Sequence, residues 1–306
     1  MTSTSTPTPT TDRDTLRPVA GVVGNGRSHW VGDGFRVEGM FGPHDELARL
    51  VDPFLLLDYH APYEYGPTDT PRGVGVHPHR GFETVTLAFD GSVAHHDSTG
   101  AGGVIRPGDV QWMTASSGIL HKEYHDADWA RSGGRFHMVQ LWVNLPAASK
   151  MDAPHYQPLT AEQIGQVELE DHGGSVRVVA GDFDGNSGAA TTYTPINLWD
   201  VELNAGSRIS PSVPSDHNVA VLALDGNLTV NGADVPSGRL AILDSSGPGR
   251  DGVEVATVAG GRALVMTGRP IDEPVAAYGP FVMNTRQQIA EAYDDFQAGR
   301  FGHLDG

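Results

Sequence analysis

The string Gly75-Val-His-Pro-His-Arg-Gly-Phe-Glu-Thr-Val85, answered by Gly118-Ile-Leu-His-Lys-Glu-Tyr124, holds the residues best suited to chemistry. Side chains of an extended strand alternate between faces, so His77 and His79 point the same way. His121 and Glu123 repeat that i, i+2 pairing. Three imidazoles and a carboxylate from two facing strands can converge on one transition-metal ion and leave coordination positions open. Two carboxylates compete for the fourth position. Glu83 lies four residues beyond His79 at another odd-numbered position, but Gly81 intervenes, where a bend can swing it away. Glu123 stands to His121 as His79 stands to His77, which favours it. The other acid would then accept a hydrogen bond from a ligand imidazole and orient it.

Nine of the fourteen histidines lie between His60 and His155. A lone histidine is more often a structural or surface residue than a ligand. His95 and His96 sit in an extended segment before Asp97, so at most one of them points inward, and both are read as structural. A Ser–His–Asp hydrolase can be drawn from Ser116, His121 and Asp97, but the chain has no Gly-x-Ser-x-Gly elbow. The Gly-rich runs lack the lysine and the strand–helix context of a phosphate loop.

What must hold these residues is a chain of 306 residues, longer than one core usually serves, so two domains are expected. Its 39 glycines and 21 prolines separate short apolar segments, which suits an all-β protein with many turns. A net charge of −18 speaks against direct contact with nucleic acid or anionic membranes. The absence of cysteine excludes disulfides, thiolate metal sites and thiol nucleophiles. The Thr-, Ser- and Pro-rich start reads as a disordered tail and carries no signal-peptide pattern. No apolar run approaches the ~20 residues needed to cross a bilayer, so a cytoplasmic protein is expected.

Phe54–Leu57 reads as a buried strand, followed by a polar loop over Asp58–Gly75. Strands are expected at Phe82–Phe89, Ser92–His96, Val110–Thr114 and Phe136–Asn144. The last places Met138, Gln140 and Trp142 on one face and Val139, Leu141 and Val143 on the other. Leu159–Ile164 reads as a short helical turn. A second set of strands begins near Val167 and includes Val176–Ala180, Ile196–Val201, Val219–Leu224, Asn227–Val230 and Leu240–Leu243. The turn at Leu224-Asp-Gly-Asn-Leu228 matches Ala88-Phe-Asp-Gly-Ser92, and Val235-Pro-Ser-Gly-Arg-Leu240 matches Ile105-Arg-Pro-Gly-Asp-Val110, which suggests two related β-barrel halves. Ile289, Ala292, Tyr293 and Phe296 recur at helical spacing within Thr285–Ala298, with Gly299 as a stop.

The segment from Ile105 to His121 (IRPGDVQWMTASSGILH), with His-Pro-His-Arg-Gly-Phe-Glu-Thr-Val and Val93-Ala-His-His-Asp-Ser98, resembles the pirin family of the cupin superfamily. The likeness runs from about His29 to Thr160 and continues more loosely through Gly268-Arg-Pro270 and Gly279-Pro-Phe-Val-Met-Asn-Thr285. It implies an all-β bicupin of two antiparallel β-barrel (jelly-roll) domains, to which the sequence adds a short C-terminal helix. The corresponding division is a tail over residues 1–14, a metal-binding barrel over 15–160, a metal-free barrel over 161–284, and a helix and tail over 285–306. The resemblance also implies one divalent transition metal, Fe(II) first, on His77, His79, His121 and Glu123, which decides the contest between the two acids. Ligands of this kind also accept Mn, Co, Ni, Cu or Zn. The ordinary second cupin motif is absent, since Pro107-Gly-Asp109 is followed only much later by His121. The second half offers only His217 near Val213–Val219, as expected of a metal-free barrel.

Bacterial members of this family imply a quercetin 2,3-dioxygenase-like activity, in which a small phenolic substrate, a flavonol, is opened by O2 with release of carbon monoxide. Glu123 would accept the proton of the flavonol 3-hydroxyl, and Met113 and Trp142 are candidates for the cavity wall. Eukaryotic members imply the alternative, a metal- or redox-sensing regulator acting through protein partners. No Lys/Arg cluster of the nuclear-import kind supports that alternative. A third reading keeps the metal as a structural relic, which open coordination positions disfavour.

Overall fold

The computed structural model describes residues 15–24, 27–245 and 251–306. The tail expected over residues 1–14 therefore lies outside the described residues. Each half of the chain contains a seven-stranded sheet and a four-stranded sheet, and every pairing between their strands is antiparallel. In the first half the larger sheet runs in the order His155–Leu159, Val110–Thr114, Phe82–Asp90, Gly134–Asn144, Phe54–Tyr65, Phe35–Phe41 and His29–Val31. The smaller sheet runs Gly73–His79, Ile119–His125, Val93–Asp97 and Gly102–Ile105. The second half repeats this seven-plus-four plan around Ile196–Leu203, Asn218–Asp225 and Gly261–Gly268. That repetition is the two-barrel organisation anticipated from the matching turns.

Alternation along Gly134–Asn144 shows how the layers stack. Val139, Leu141 and Val143 enter an apolar core shared with Leu198, Leu222, Leu264 and Met266 of the second half, so the two large sheets meet back to back. Met138, Gln140 and Trp142 face the smaller sheet of their own half. The interior of the second half is filled by Val176, Trp199, Val201, Val221, Val255 and Val265. The interior of the first half instead carries His79, His95, His121, Glu123, Gln111 and Thr86, all buried. Burial of so many polar groups is costly unless each is paired or binds something, which marks this interior as the functional one.

Several expectations need correction. The polar stretch after Leu57 is no loop: the strand continues to Tyr65, and the next begins at Gly73. Its polar residues are accommodated because Asp58 and His60 pair in register with Gln140 and Met138, while a register shift around Ala61-Pro62 absorbs the proline. Leu159 ends a strand rather than starting a turn; the turn follows, closed by the Ile164 amide on the Thr160 carbonyl. The C-terminal helix spans Arg286–Gln297, with a Thr285/Gln288 capping box and Gly299 at φ +73° behind it. Ile289 and Ala292 are buried beneath it against Phe281, Met283 and Phe301.

The chain ends also cross between halves. Val19–Val23 pairs with Leu240–Leu243 at the edge of the second large sheet, although residues from 15 onward are expected in the first barrel. Conversely, the Ala276–Tyr278/Phe281–Met283 hairpin and the helix return to the first half, where Phe281 bridges Arg80.

Candidate metal centre

His77 and His79 lie on Gly73–His79, and His121 and Glu123 on its antiparallel neighbour Ile119–His125, with His121 directly opposite His77. A register shift between His121 and Glu123 brings Glu123 opposite Val74. On its other side the same strand pairs with Val93–Asp97, so that Glu123 faces His95 and His121 faces Asp97. One ligand atom from each of His77, His79 and His121 lies within 4.8 Å of the others, and the same holds for His95, His121 and Glu123. The structure thus gathers the three expected imidazoles and joins Glu123 to them through the shared His121. Both groups lie in the first half, and among the described residues the second half has none. There His217 Nδ1 is taken up by Thr267 Oγ1 at 2.9 Å.

The hydrogen bonds prepare these rings as ligands. His77 Nδ1 lies 2.8 Å from the Gly75 carbonyl and His79 Nδ1 lies 3.4 Å from that of Pro280. A carbonyl only accepts, so both rings carry their proton on Nδ1 and keep Nε2 free to bind a metal. His121 Nδ1 is 3.4 Å from His95 Nδ1, while its fully buried Nε2 has no partner at all. Burial, and then the neighbouring imidazoles, hold His79 and His121 well below the usual histidine range, so both are neutral near pH 7. Glu123 Oε1 accepts from Thr86 Oγ1 and Gln111 Nε2, each at 3.3 Å, and Oε2 accepts from Gln140 Nε2 at 3.0 Å. These donors fix the carboxylate in place. An orphaned buried nitrogen, three gathered imidazoles and a fixed carboxylate fit a divalent transition metal.

Glu83 lies on the opposite face. The turn at Arg80-Gly81, with Gly81 at φ +90°, breaks the odd-numbered alternation. Phe82 consequently points inward against His79 and Trp142, and Glu83 points towards the core between the two large sheets. Its carboxylate accepts from Thr114 Oγ1 at 2.7 Å, not from a ligand imidazole as expected of it, and burial pushes its pKa up to about 7. Three groups that sequence reasoning passed over surround the cluster: His95, Gln111 and Gln140. For His95 the signal was available, because Val93, His95 and Asp97 share the buried face while His96 is exposed. Met113 belongs to a small core with Ala115 and Ile119, whereas Trp142 stands 5.4 Å from the His79 ring.

The returning C-terminal segment clasps the ligand strands. Arg80 Nη2 pairs with Asp295 at 2.7 Å, its Nε donates to Ser117 O at 2.6 Å, and its guanidinium lies 4.7 Å from the Phe301 ring centre. Buried Lys150 donates to Gly81 O (2.6 Å), Asn144 Oδ1 (2.7 Å) and Val282 O (3.1 Å). These contacts fix the turn that ends in His79 and the carbonyl that orients it.

Comparison with known proteins finds likeness over both halves of the chain. Residues 34–143 match the family model described as Pirin, and residues 198–302 that described as Pirin C-terminal cupin domain. A Pseudomonas aeruginosa protein named "putative quercetin 2,3-dioxygenase" is 48% identical over 286 residues, covering 94% of this chain and 99% of its own. A pirin-like protein of Caulobacter vibrioides is 40% identical over 288 residues, with 94% and 99% covered. The crystal structure of a quercetin 2,3-dioxygenase from Acinetobacter baumannii, 46% identical, matches with a TM-score of 0.90 over 95% of this chain and all of that one.

Proposed function

The chain belongs to the pirin family and has its bicupin fold, and on that premise we propose that it is an Fe(II)-dependent dioxygenase of a flavonol or related phenol. The observation that carries this reading is the gathering of His77, His79 and His121, with Glu123 joined to them through the shared His121, in the polar interior of the first half. Likeness to proteins named as quercetin 2,3-dioxygenases supports the substrate class. A bound divalent ion supplies Lewis acidity towards the phenolic hydroxyl and redox chemistry towards O2.

The protein's own groups do the rest. His77, His79 and His121 would hold the ion through their ring nitrogens. Glu123 receives the proton of the flavonol 3-hydroxyl. Its hydrogen bonds from Thr86, Gln111 and Gln140 hold the carboxylate in place for that transfer. Trp142 and Phe82, with ring centres 4.2 Å apart beside His79, give a flat substrate an aromatic wall. His77 is only half-buried, and the substrate enters over it.

The test is an anaerobic titration of the Fe(II)-loaded protein with a flavonol, followed by oxygen. Flavonol loss with stoichiometric carbon monoxide is expected from the native protein and not from His79→Ala. Equal slow loss in both would refute the proposal.

A further inference from the structure

His95 is a fully buried group that the proposed reaction leaves unused. Its ring is stacked on Tyr156, with centres 5.1 Å apart and planes at 5°. His95 Nε2 lies 3.3 Å from Asp97 Oδ2. Asp97 Oδ1 accepts from Thr99 N (2.8 Å), Thr99 Oγ1 (2.6 Å) and Ala101 N (3.3 Å), which locks the carboxylate in place. An ionised carboxylate only accepts, so His95 Nε2 carries a proton, and the amide donor Gln111 Nε2 facing Nδ1 leaves that nitrogen its lone pair. Two groups face that lone pair, Gln111 Nε2 at 3.2 Å and His121 Nδ1 at 3.4 Å. The same Gln111 nitrogen lies 3.3 Å from Glu123 Oε1. A neutral imidazole has one donor and one acceptor nitrogen, so facing an acceptor places the proton of His121 on Nδ1. Its Nε2, the nitrogen with no partner, is then bare.

We infer that Asp97 and His95 form a relay that sets the tautomer of His121 and, through Gln111, the edge of Glu123, so that His95 is a positioning residue for the metal and not a ligand. The inference rests on the reading of His121 as a ligand. Gly75 O and Pro280 O do for His77 and His79 what this relay does for His121, but the relay alone can be reversed by one substitution. In Asp97→Asn the donors from Thr99 and Ala101 retain the amide oxygen and turn the Nδ2 group towards His95. His95 must then accept at Nε2 and donate from Nδ1, which forces His121 to accept at Nδ1 and blocks its Nε2 with a proton.

Nickel(II) titration calorimetry and nitrogen-15 NMR of the imidazoles in the metal-free protein test this together. The native protein is expected to show His121 protonated at Nδ1, and Asp97→Asn to show it protonated at Nε2. Nickel affinity should fall by about 10–100-fold in Asp97→Asn. It should fall similarly in His95→Phe and recover in His95→Gln, whose amide oxygen again accepts from His121. A native His121 protonated at Nε2 overturns the relay, and this reading does not depend on any variant folding. Native-like nickel affinity in Asp97→Asn, or a His95→Gln as weak as His95→Phe, also overturns it. Native-like affinity in His121→Ala would instead refute the ligand assignment on which the relay depends.

Discussion

Replacing Glu83 by glutamine should make the protein more stable in mild alkali. The side chain is 1% exposed and its carboxylate has the Thr114 hydroxyl as its hydrogen-bond donor. Thr114 Oγ1 lies in turn 3.2 Å from His155 Nε2. Burial raises the Glu83 pKa from 4.5 to about 7, so the fold binds this proton more tightly than the unfolded chain does. The group's contribution is therefore fully present below about pH 4.5 and is lost as pH rises through about 7. The full loss amounts to roughly 3 kcal/mol. Glutamine keeps the acceptor for Thr114 and never ionises. Urea unfolding followed by tryptophan fluorescence, at about pH 5 and about pH 8, should show native and Glu83→Gln proteins similar at the lower pH. At the higher pH the variant should lead by about 2–3 kcal/mol. His60, His125 and His137, pulled by burial to about 4, 4 and 3, have the opposite slope, adding stability as pH rises towards the usual histidine value. They are common to both proteins and cancel in the difference. Parallel pH profiles for the two proteins would refute the reasoning.

Gly81→Ala should cost about 2 kcal/mol or more, because a Cβ there would lie 2.0 Å from the Val282 carbonyl at a φ of +90°; a lowered melting temperature with weakened metal binding is expected, since the His79 turn moves with it. Lys150→Met removes the donor to three buried acceptors while also removing a buried ammonium that desolvation has already pulled down to about 7. The unpaired acceptors outweigh the relieved ammonium, and a net loss of about 2–4 kcal/mol is expected in chemical denaturation. Chelation should lower the melting temperature of the metal-loaded protein and leave His79→Ala unmoved; at a metal concentration of about 100 times Kd the difference is about 2.7 kcal/mol.

Short buried strands bounded by turn residues were legible in the sequence, Val110–Thr114 and Leu240–Leu243 to the residue, because Pro and Gly precede each and Ser-Ser-Gly follows it closely. So was the His-x-His and His-x-Glu pairing, which needs only two extended neighbours. Phe54–Tyr65 escaped detection beyond Leu57 because its later residues are largely polar or aromatic and interrupted by a proline, which periodicity of hydrophobicity does not register as strand. Glu83 deceived because counting parity assumes an unbroken strand, and the turn at Gly81 resets it. Spacing could place His95 on the inward face with Val93 and Asp97, but that its strand lies beside that of His121 is a fact of topology. The crossing ends have the same origin: short apolar stretches such as Val19–Val23 do not say which sheet edge they will extend.

The clasp over the ligand strands has a consequence for biosynthesis. Pro280, whose carbonyl turns the His79 ring, leaves the ribosome 201 residues after it. At ordinary translation speeds that interval is roughly 10–40 s. Throughout it the nascent first barrel has its Arg80-Gly81 turn held by Ser117 and Lys150 alone, without the Pro280 carbonyl and Asp295. A metal ion arriving in that interval would meet a His79 ring that lacks its carbonyl partner.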